Sequence, residues 1–350
     1  MLLIAVVLTA IADFLHWSPT WITIIAAVGI VPVARLMGES TEHISAKVGP
    51  AAGALMNATF GNAAELIIAI FALKAGLIDV VKASITGSII GNVLLVLGAA
   101  MLAGGIQYKE QHFNKHLASG AVTSLALVSF SLMMPAALTY AAGSQSTTDA
   151  TRMSLAIAIV LMLMYFLNLF YQLKTHVHLM QPVEEEVDSH PGLMVAGWSL
   201  KKSILMLLLA TAAVVFLSEN LVGSIEQAAK TAGLTPVFVG VILLAIIGNA
   251  AENSTAILMA RKNKMDLSLN IVLSSSTQIA MFVAPIIVIA GFLFGQPMDF
   301  RFSLPEIIAV FASMFLMSLI VNDGTSTWEE GAKLLGLYTV IAITFFFIHR

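Results

Sequence analysis

Long apolar runs separated by short polar gaps recur along the whole 350-residue chain. They fall near 2–15, 20–37, 51–73, 80–104, 117–136, 152–173, 202–218, 237–260, 267–293, 304–321 and 333–348. Most approach or exceed the roughly 20 residues that a helix needs to cross a hydrocarbon core about 30 Å thick. Lipid offers backbone groups no hydrogen-bond partner, so such runs must form helices that satisfy themselves. The pattern predicts an all-α integral membrane protein with about eleven transmembrane helices.

Composition sharpens this picture. The chain is 59% hydrophobic and 11% charged, with mean hydropathy +0.93, more apolar surface than a water-soluble core can hide. The run Leu2 to Leu15 lacks the basic start and small-residue cleavage site of a signal peptide and is read as a retained helix. Net charge is −3 and the 17 Lys and Arg are scattered, which argues against nucleic-acid partners. The absence of cysteine excludes disulfides, zinc–thiolate sites and iron–sulfur clusters.

Charge also orients the chain. Eleven Lys and Arg follow even-numbered helices and six follow odd-numbered ones. Even loops and the N-terminus are therefore expected in the cytoplasm and the C-terminus outside, although Lys74 and Lys82 flank one outer loop. The polar stretch Lys174 to His190 carries Glu184, Glu185, Glu186 and Asp188. It serves either as a solvated linker or as a cation-gathering segment. The expected organisation is a helix in 1–17, a five-helix repeat in 18–173, an acidic cytoplasmic linker in 174–200 and an inverted five-helix repeat in 201–350. His112 and His116 have the i, i+4 spacing of a metal site, but their basic surroundings favour an interfacial helix.

The repeat rests on a motif. Phe60-Gly61-Asn62-Ala63-Ala64-Glu65 returns as Ile247-Gly248-Asn249-Ala250-Ala251-Glu252, 187 positions later. The same offset, without a gap, sets Gly87-Ser88-Ile89-Ile90-Gly91 on Ser274-Ser275-Ser276-Thr277-Gln278. The copies lie an odd number of helices apart, so the second must cross the bilayer in the opposite sense, and inverted repeats place substrate sites at their interface.

Glu65 and Glu252 are acids set deep in apolar runs, and no Lys or Arg lies at comparable depth in those runs. Burying such a carboxylate costs about 2.5 to 3.5 kcal/mol on insertion scales, so each needs a proton or a bound cation. Asn62 and Asn249 share a helix face with their glutamates. Gly61 and Gly248 allow close packing or a helix break that frees backbone carbonyls. Ser88, Ser275 and Gln278 add hydroxyl and amide oxygens. An all-oxygen set with two negative charges suits a hard divalent cation, and the irregular ligand arrangement favours calcium over magnesium. Two carboxylates hold one divalent ion or two protons with the same net charge, so the expected activity is antiport of calcium against protons. Calcium is then cargo, and no cofactor is expected.

The segments Asn57 to Glu65 (NATFGNAAE), Gly87 to Asn92 (GSIIGN), Gly248 to Glu252 (GNAAE) and Ser274 to Ile279 (SSSTQI) resemble the calcium/proton exchangers of the calcium/cation antiporter superfamily. The likeness covers essentially the whole chain. It implies that Glu65 and Glu252 bind calcium and protons with Asn62, Asn249, Ser88, Ser275 and Gln278 around them, and that Glu39 and Glu219 either attract cations near the site or are plain solvent contacts at helix ends. The halves differ, since Gly91 stands where Gln278 would be. Eukaryotic members often carry longer N-terminal tails, so a multi-pass protein of a prokaryotic plasma membrane is expected here, with the lipid bilayer, Ca2+, H+ and further copies of itself as partners. The competing readings are a sodium/calcium exchanger, which needs extra monovalent sites, and a cation channel, which an occluded acid pair fits poorly. No HExxH motif, Ser/His pairing or Gly-rich phosphate loop at credible spacing supports an enzyme.

Overall fold

A computed structural model of the protein describes residues 2–48, 50–142, 147–176 and 198–348. The acidic stretch Glu184 to Asp188 lies outside the described residues. The chain is almost wholly helical: α1 (Leu2–Phe14), α2 (Pro19–Val48), α3 (Pro50–Phe60), α4 (Ala63–Lys74), α5 (Ile78–Gln107), α6 (Lys115–Ala142), α7 (Thr147–Phe170), α8 (Leu200–Ala232), α9 (Pro236–Arg261), α10 (Met265–Leu293), α11 (Leu304–Ile320) and α12 (Trp328–Phe347). Eight helices among the described residues are long and apolar enough to cross a membrane. The other expected spans are shorter: α1, α11, and a single predicted helix that breaks at Gly61 and Asn62 into α3 and α4.

Helix starts follow local chemistry. Ser199 accepts a hydrogen bond from the Lys202 amide at the head of α8, and Thr235 caps α9 ahead of Pro236. Capping boxes open α11 with Ser303 and Glu306 and α12 with Thr327 and Glu330. Gly233, at φ 67°, ends α8 in the left-handed conformation. Polar residues within α2 and at the C-terminal end of α8 carry both helices beyond their predicted ends, α2 to Val48 and α8 to Ala232.

These two long helices pack along each other. Thr23 meets Ser224 (2.8 Å) and Thr211 meets Met37 (3.4 Å), so they run antiparallel. An open apolar groove of about 410 Å³ lies between part of this pair and α9, lined by Ala27, Val28, Leu221, Ile225, Val239 and Leu243.

Wide π-helical turns interrupt α5 at Gly91–Val96 and α10 at Ile279–Val283. Shifted by 187 positions, Gly91 falls on Gln278, immediately before the second turn. Another π-helical turn, Val239–Leu244, is clamped against α5. A Cβ on Gly87 would lie 2.2 Å from the Val241 carbonyl oxygen, and one on Gly240 would lie 2.5 Å from Ala83 Cβ. Only glycine lets these backbones approach so closely.

The loops gather at two ends. At one, Gln111–His112 pairs antiparallel with Thr325–Ser326, and the Gln111 amide donates to Ala260 O (2.8 Å) and Asn263 Oδ1 (2.9 Å). His112 and His116 are exposed, His116 at the start of α6. At the other end, Lys74 sits 5.0 Å over the Phe294 ring, and Lys82 Nζ reaches Asp299 Oδ1 (2.6 Å) and Arg301 O (3.0 Å).

Burial opposes ionisation of Asp299, but hydrogen bonds and charge from Lys82 and Arg301 outweigh it and hold the carboxyl below the usual range. A carboxyl depressed on folding contributes stability above its unfolded pKa of about 3.9, lost as pH falls through the lower folded value. Asp299→Asn is therefore expected to cost about 3 kcal/mol at pH 7. Melting in detergent at pH 7 and at pH 3 checks this: the Tm gap between variant and parent should narrow on acidification, and an equal gap at both pH values refutes it.

Candidate functional site: a buried acid pair in an oxygen cage

The break between α3 and α4 positions the first half of the site. Asn62 stands at the head of α4 at φ −104° and ψ 25° without capping the helix through its side chain. Its amide instead donates across the bundle to Gln278 Oε1 (2.6 Å). Glu65 follows in the first turn of α4.

Gly248 does not break its helix, because α9 runs on unbroken from Ala245 through Arg261. Its role is space. A Cβ there would lie 2.9 Å from Glu65 Cγ, so the first glutamate crosses to the second motif over the bare glycine. Gly61, by contrast, does sit at the break. The two motif glycines thus divide the two uses the sequence allows them.

The remaining predicted residues converge on the same place. Asn249 Nδ2 donates to Ser88 Oγ (3.1 Å) and Ala245 O (3.0 Å). Ser275 Oγ donates toward Asn62 Oδ1 (3.2 Å) or Asn249 Oδ1 (3.4 Å), and it stands beside the Glu252 carboxylate. Asn62, Asn249, Ser88 and Ser275 are all buried. Glu65 lies within reach of the Glu252 charge, and each keeps a buried Oε2 without a hydrogen-bond partner. Among the described residues no group of three His, Asp or Glu side chains is arranged to hold a metal. Any ion between the two carboxylates must therefore complete its shell with amide, hydroxyl, backbone or water oxygens, an arrangement hard cations accept.

Two further residues are given no role by the sequence reading, although Asn92 closes the GSIIGN segment. Asn92, in the π-helical turn of α5, donates to Ser275 Oγ (3.1 Å) and lies 3.5 Å from Asn249 Oδ1. Its counterpart one repeat later is Ile279, so a search by internal repetition passes over it. Glu42 acts electrostatically on Glu252 but lies past the predicted end of its helix. Glu39 is coupled in turn to Glu42, and its carboxylate is taken up by Arg35 at 2.9 Å on the surface. Glu219 is exposed within α8. Glu306, in the first turn of α11, is also buried, but it accepts from Ser303 (2.6 Å) and Thr86 (3.1 Å), so it is satisfied locally.

A polytopic helical bundle enclosing an oxygen-lined acid pair defines an integral membrane protein built around a buried cation or proton site. A profile of the sodium/calcium exchanger protein family matches residues 18–174 and 202–347, on either side of the linker. A Ca(2+)/H(+) antiporter of Aphanothece halophytica is 45% identical over 99% of this chain and 95% of its own. The Ca(2+)/H(+) antiporter ChaA of Bacillus subtilis (strain 168) is 42% identical over 97% and 96%. The structure of native YfkE superposes with TM-score 0.85 at 38% identity, covering 99% of this chain and 98% of that one. The chain belongs to the sodium/calcium exchanger protein family, and within it to the calcium/proton exchangers. It is a secondary transporter, not an enzyme.

Gly248→Ala should push Glu65 off its seat and weaken divalent-cation binding on the order of tenfold without lowering Tm. Calorimetric titration of the solubilised variant checks this, and unchanged binding would show that the glycine has no part in seating the carboxylate.

Proposed function

We propose that the protein exchanges calcium for protons across the membrane, with Glu65 and Glu252 binding either cargo in turn. The observation that carries this reading is the pair of partnerless, buried carboxylate oxygens inside a cage of amide and hydroxyl oxygens. Among membrane-embedded groups a carboxylate keeps such a position only by holding a proton or a cation. The names of the full-length relatives agree. Asn62, Asn249, Ser88, Ser275 and Gln278 supply or orient further oxygens, and Glu42 links the pair electrostatically toward Glu39, whose carboxylate is exposed.

The two halves are inverted repeats, and the contacts between α2 and α8 support it. Shifted by 187 positions, Thr23 falls on Ala210, beside Thr211, and Met37 falls on Ser224. The Thr23–Ser224 and Met37–Thr211 contacts are therefore images of each other under a two-fold axis across the bundle. Loops after even-numbered predicted helices meet at one end, around Gln111, Ala260 and Thr325. Loops after odd-numbered ones meet at the other, around Lys82 and Asp299. The charges of Lys74 and Lys82 are engaged there by Phe294 and Asp299, so they no longer count against a cytoplasmic N-terminus and an outside C-terminus in a plasma membrane.

Alternating access follows from a departure from that symmetry. The outer half of α9 is locked onto α5 through Gly87, Gly240 and Val241. The counterpart residues of α10, Asn270 and Ser274, bond each other at 2.9 Å, and Asn270 is exposed. Their partner α3 leans on α2, where Ser45 Oγ donates to Gly53 O (3.0 Å), and leaves Asn57 exposed. The tight contact of α9 with α5 and the looser one of α3 with α10 support a state in which the outer side is the more firmly closed. In the opposite state α3 closes on α10 as α9 now closes on α5.

Glu65→Gln and Glu252→Gln should each abolish sodium-independent calcium uptake into inside-out vesicles under an imposed pH gradient; exchange surviving in either variant defeats the assignment, and a sodium requirement would favour a sodium/calcium exchanger. Position 54 with 274 is the repeat image of Val241 with Gly87. Because the chain has no cysteine, Ala54→Cys with Ser274→Cys tests the second state cleanly: a disulfide should form during turnover and block flux until reduced. Failure to cross-link under any ion condition would contradict this closing motion.

A further inference from the structure

Asn92, like Gln278, is a polar member of the cage that the repeat does not generate, and the direction of its hydrogen bonds can be fixed. The Ala245 carbonyl can only accept, so the Asn249 atom 3.0 Å from it must be the amide nitrogen. Asn249 Oδ1 therefore faces Asn92 and Ser275. An oxygen there requires a donor, so Asn92 must turn its own amide nitrogen toward both neighbours. The Asn92 side chain thus presents two N–H groups to two oxygens from the second half of the chain, Ser275 Oγ at 3.1 Å and Asn249 Oδ1 at 3.5 Å. It is buried, at 2% exposure.

The π-helical turn makes this placement possible. Gly91–Val96 is the widened stretch of α5, which re-aims the residues within it, and Asn92 is its second residue. The matching turn in α10 begins at Ile279, an apolar residue in the same register. One half of the cage therefore carries a donor pair that the other half lacks.

We propose that Asn92 is a positioning residue for cation binding: its amide hydrogens hold the Ser275 and Asn249 oxygens in register between transport cycles and make the two halves of the cage unequal. Oxygens crowded around two carboxylates repel one another when no cation sits among them, and a neutral donor pair offsets that repulsion without adding a charge that an arriving ion would have to displace. Calcium then meets oxygens already in place. The inference rests on the assignment of Glu65 and Glu252 as the cation site.

Substitutions that keep the size but change the chemistry separate this role from simple packing. Asn92→Leu removes both donors and should raise the apparent Kd for calcium roughly two- to tenfold, the range expected for losing hydrogen bonds, with little change in maximal flux. Asn92→Asp replaces the donor nitrogen by a charged acceptor of the same shape; adding ligand charge tightens calcium sites, so it should bind calcium more tightly while maximal flux falls. Asn92→Ser, a shorter donor, should lie between the parent and Asn92→Leu. Calcium alone is titrated calorimetrically into the purified full chain, and the same variants are assayed for flux in proteoliposomes.

Opposite shifts for Asn92→Leu and Asn92→Asp support the proposal. Shifts in the same direction, or none, overturn it, and Asn92→Asp against Asn92→Ser decides the matter if the leucine variant does not fold. If Glu65→Gln and Glu252→Gln are inactive while the Asn92 variants bind calcium as the parent does, the inference about Asn92 fails alone. If the glutamine variants still exchange, the cation site itself has been misassigned.

Discussion

The organisation of this protein depends on the cost of holding two carboxylates away from water without a fixed counter-ion. A lysine or arginine at the same depth would neutralise one acid permanently and leave nothing to exchange. Lys82, largely buried at the end of the bundle near Asp299, is committed to it in a local ion pair at 2.6 Å. Glu306 is likewise absorbed by Ser303 and Thr86. What stays uncompensated is the pair Glu65 and Glu252, and the cage of neutral oxygens around them supplies dipoles without supplying charge.

The proposed two-fold relation between the halves makes such a pair economical to build, because one motif placed twice in opposite senses supplies both acids. The departures from the relation are equally informative. The first copy breaks at Gly61 and Asn62, whereas the second stays helical through Gly248 and uses that glycine as room for Glu65. Gln278 reaches Asn62 where the first copy has Gly91. A symmetric frame thus carries an asymmetric cage, and each half lends the other what it lacks.

Much of this was legible from the residues. Apolar runs marked the spans, since lipid leaves helices as the means of satisfying the backbone, and the repeated GNAAE motif located the acids. Helix ends were less legible where polarity extends a helix beyond the apolar zone. Glu39 and Glu42 read as a loop, yet α2 continues through them to Val48, which hid the electrostatic link between Glu42 and Glu252. Asn92 stayed hidden for a different reason: repetition finds residues that occur twice, and the partner of Asn92 is Ile279. The π-helical turns left no signature that hydropathy could report, because a change in hydrogen-bond register leaves the apolar count unchanged.

The seam between the α2–α8 pair and α9 has a mechanical meaning. Protein interiors are normally packed as densely as organic crystals, whereas this boundary opens as a groove of about 410 Å³ walled largely by aliphatic side chains, Val28 and Leu243 among them exposed. The loops at either end of α5 and α10 are stapled by the Gln111 and Lys82 contacts, away from this seam. Under the proposed exchange cycle, largely aliphatic walls make this the boundary that costs least to shift, much as a poorly bonded cleavage face does in a layered solid.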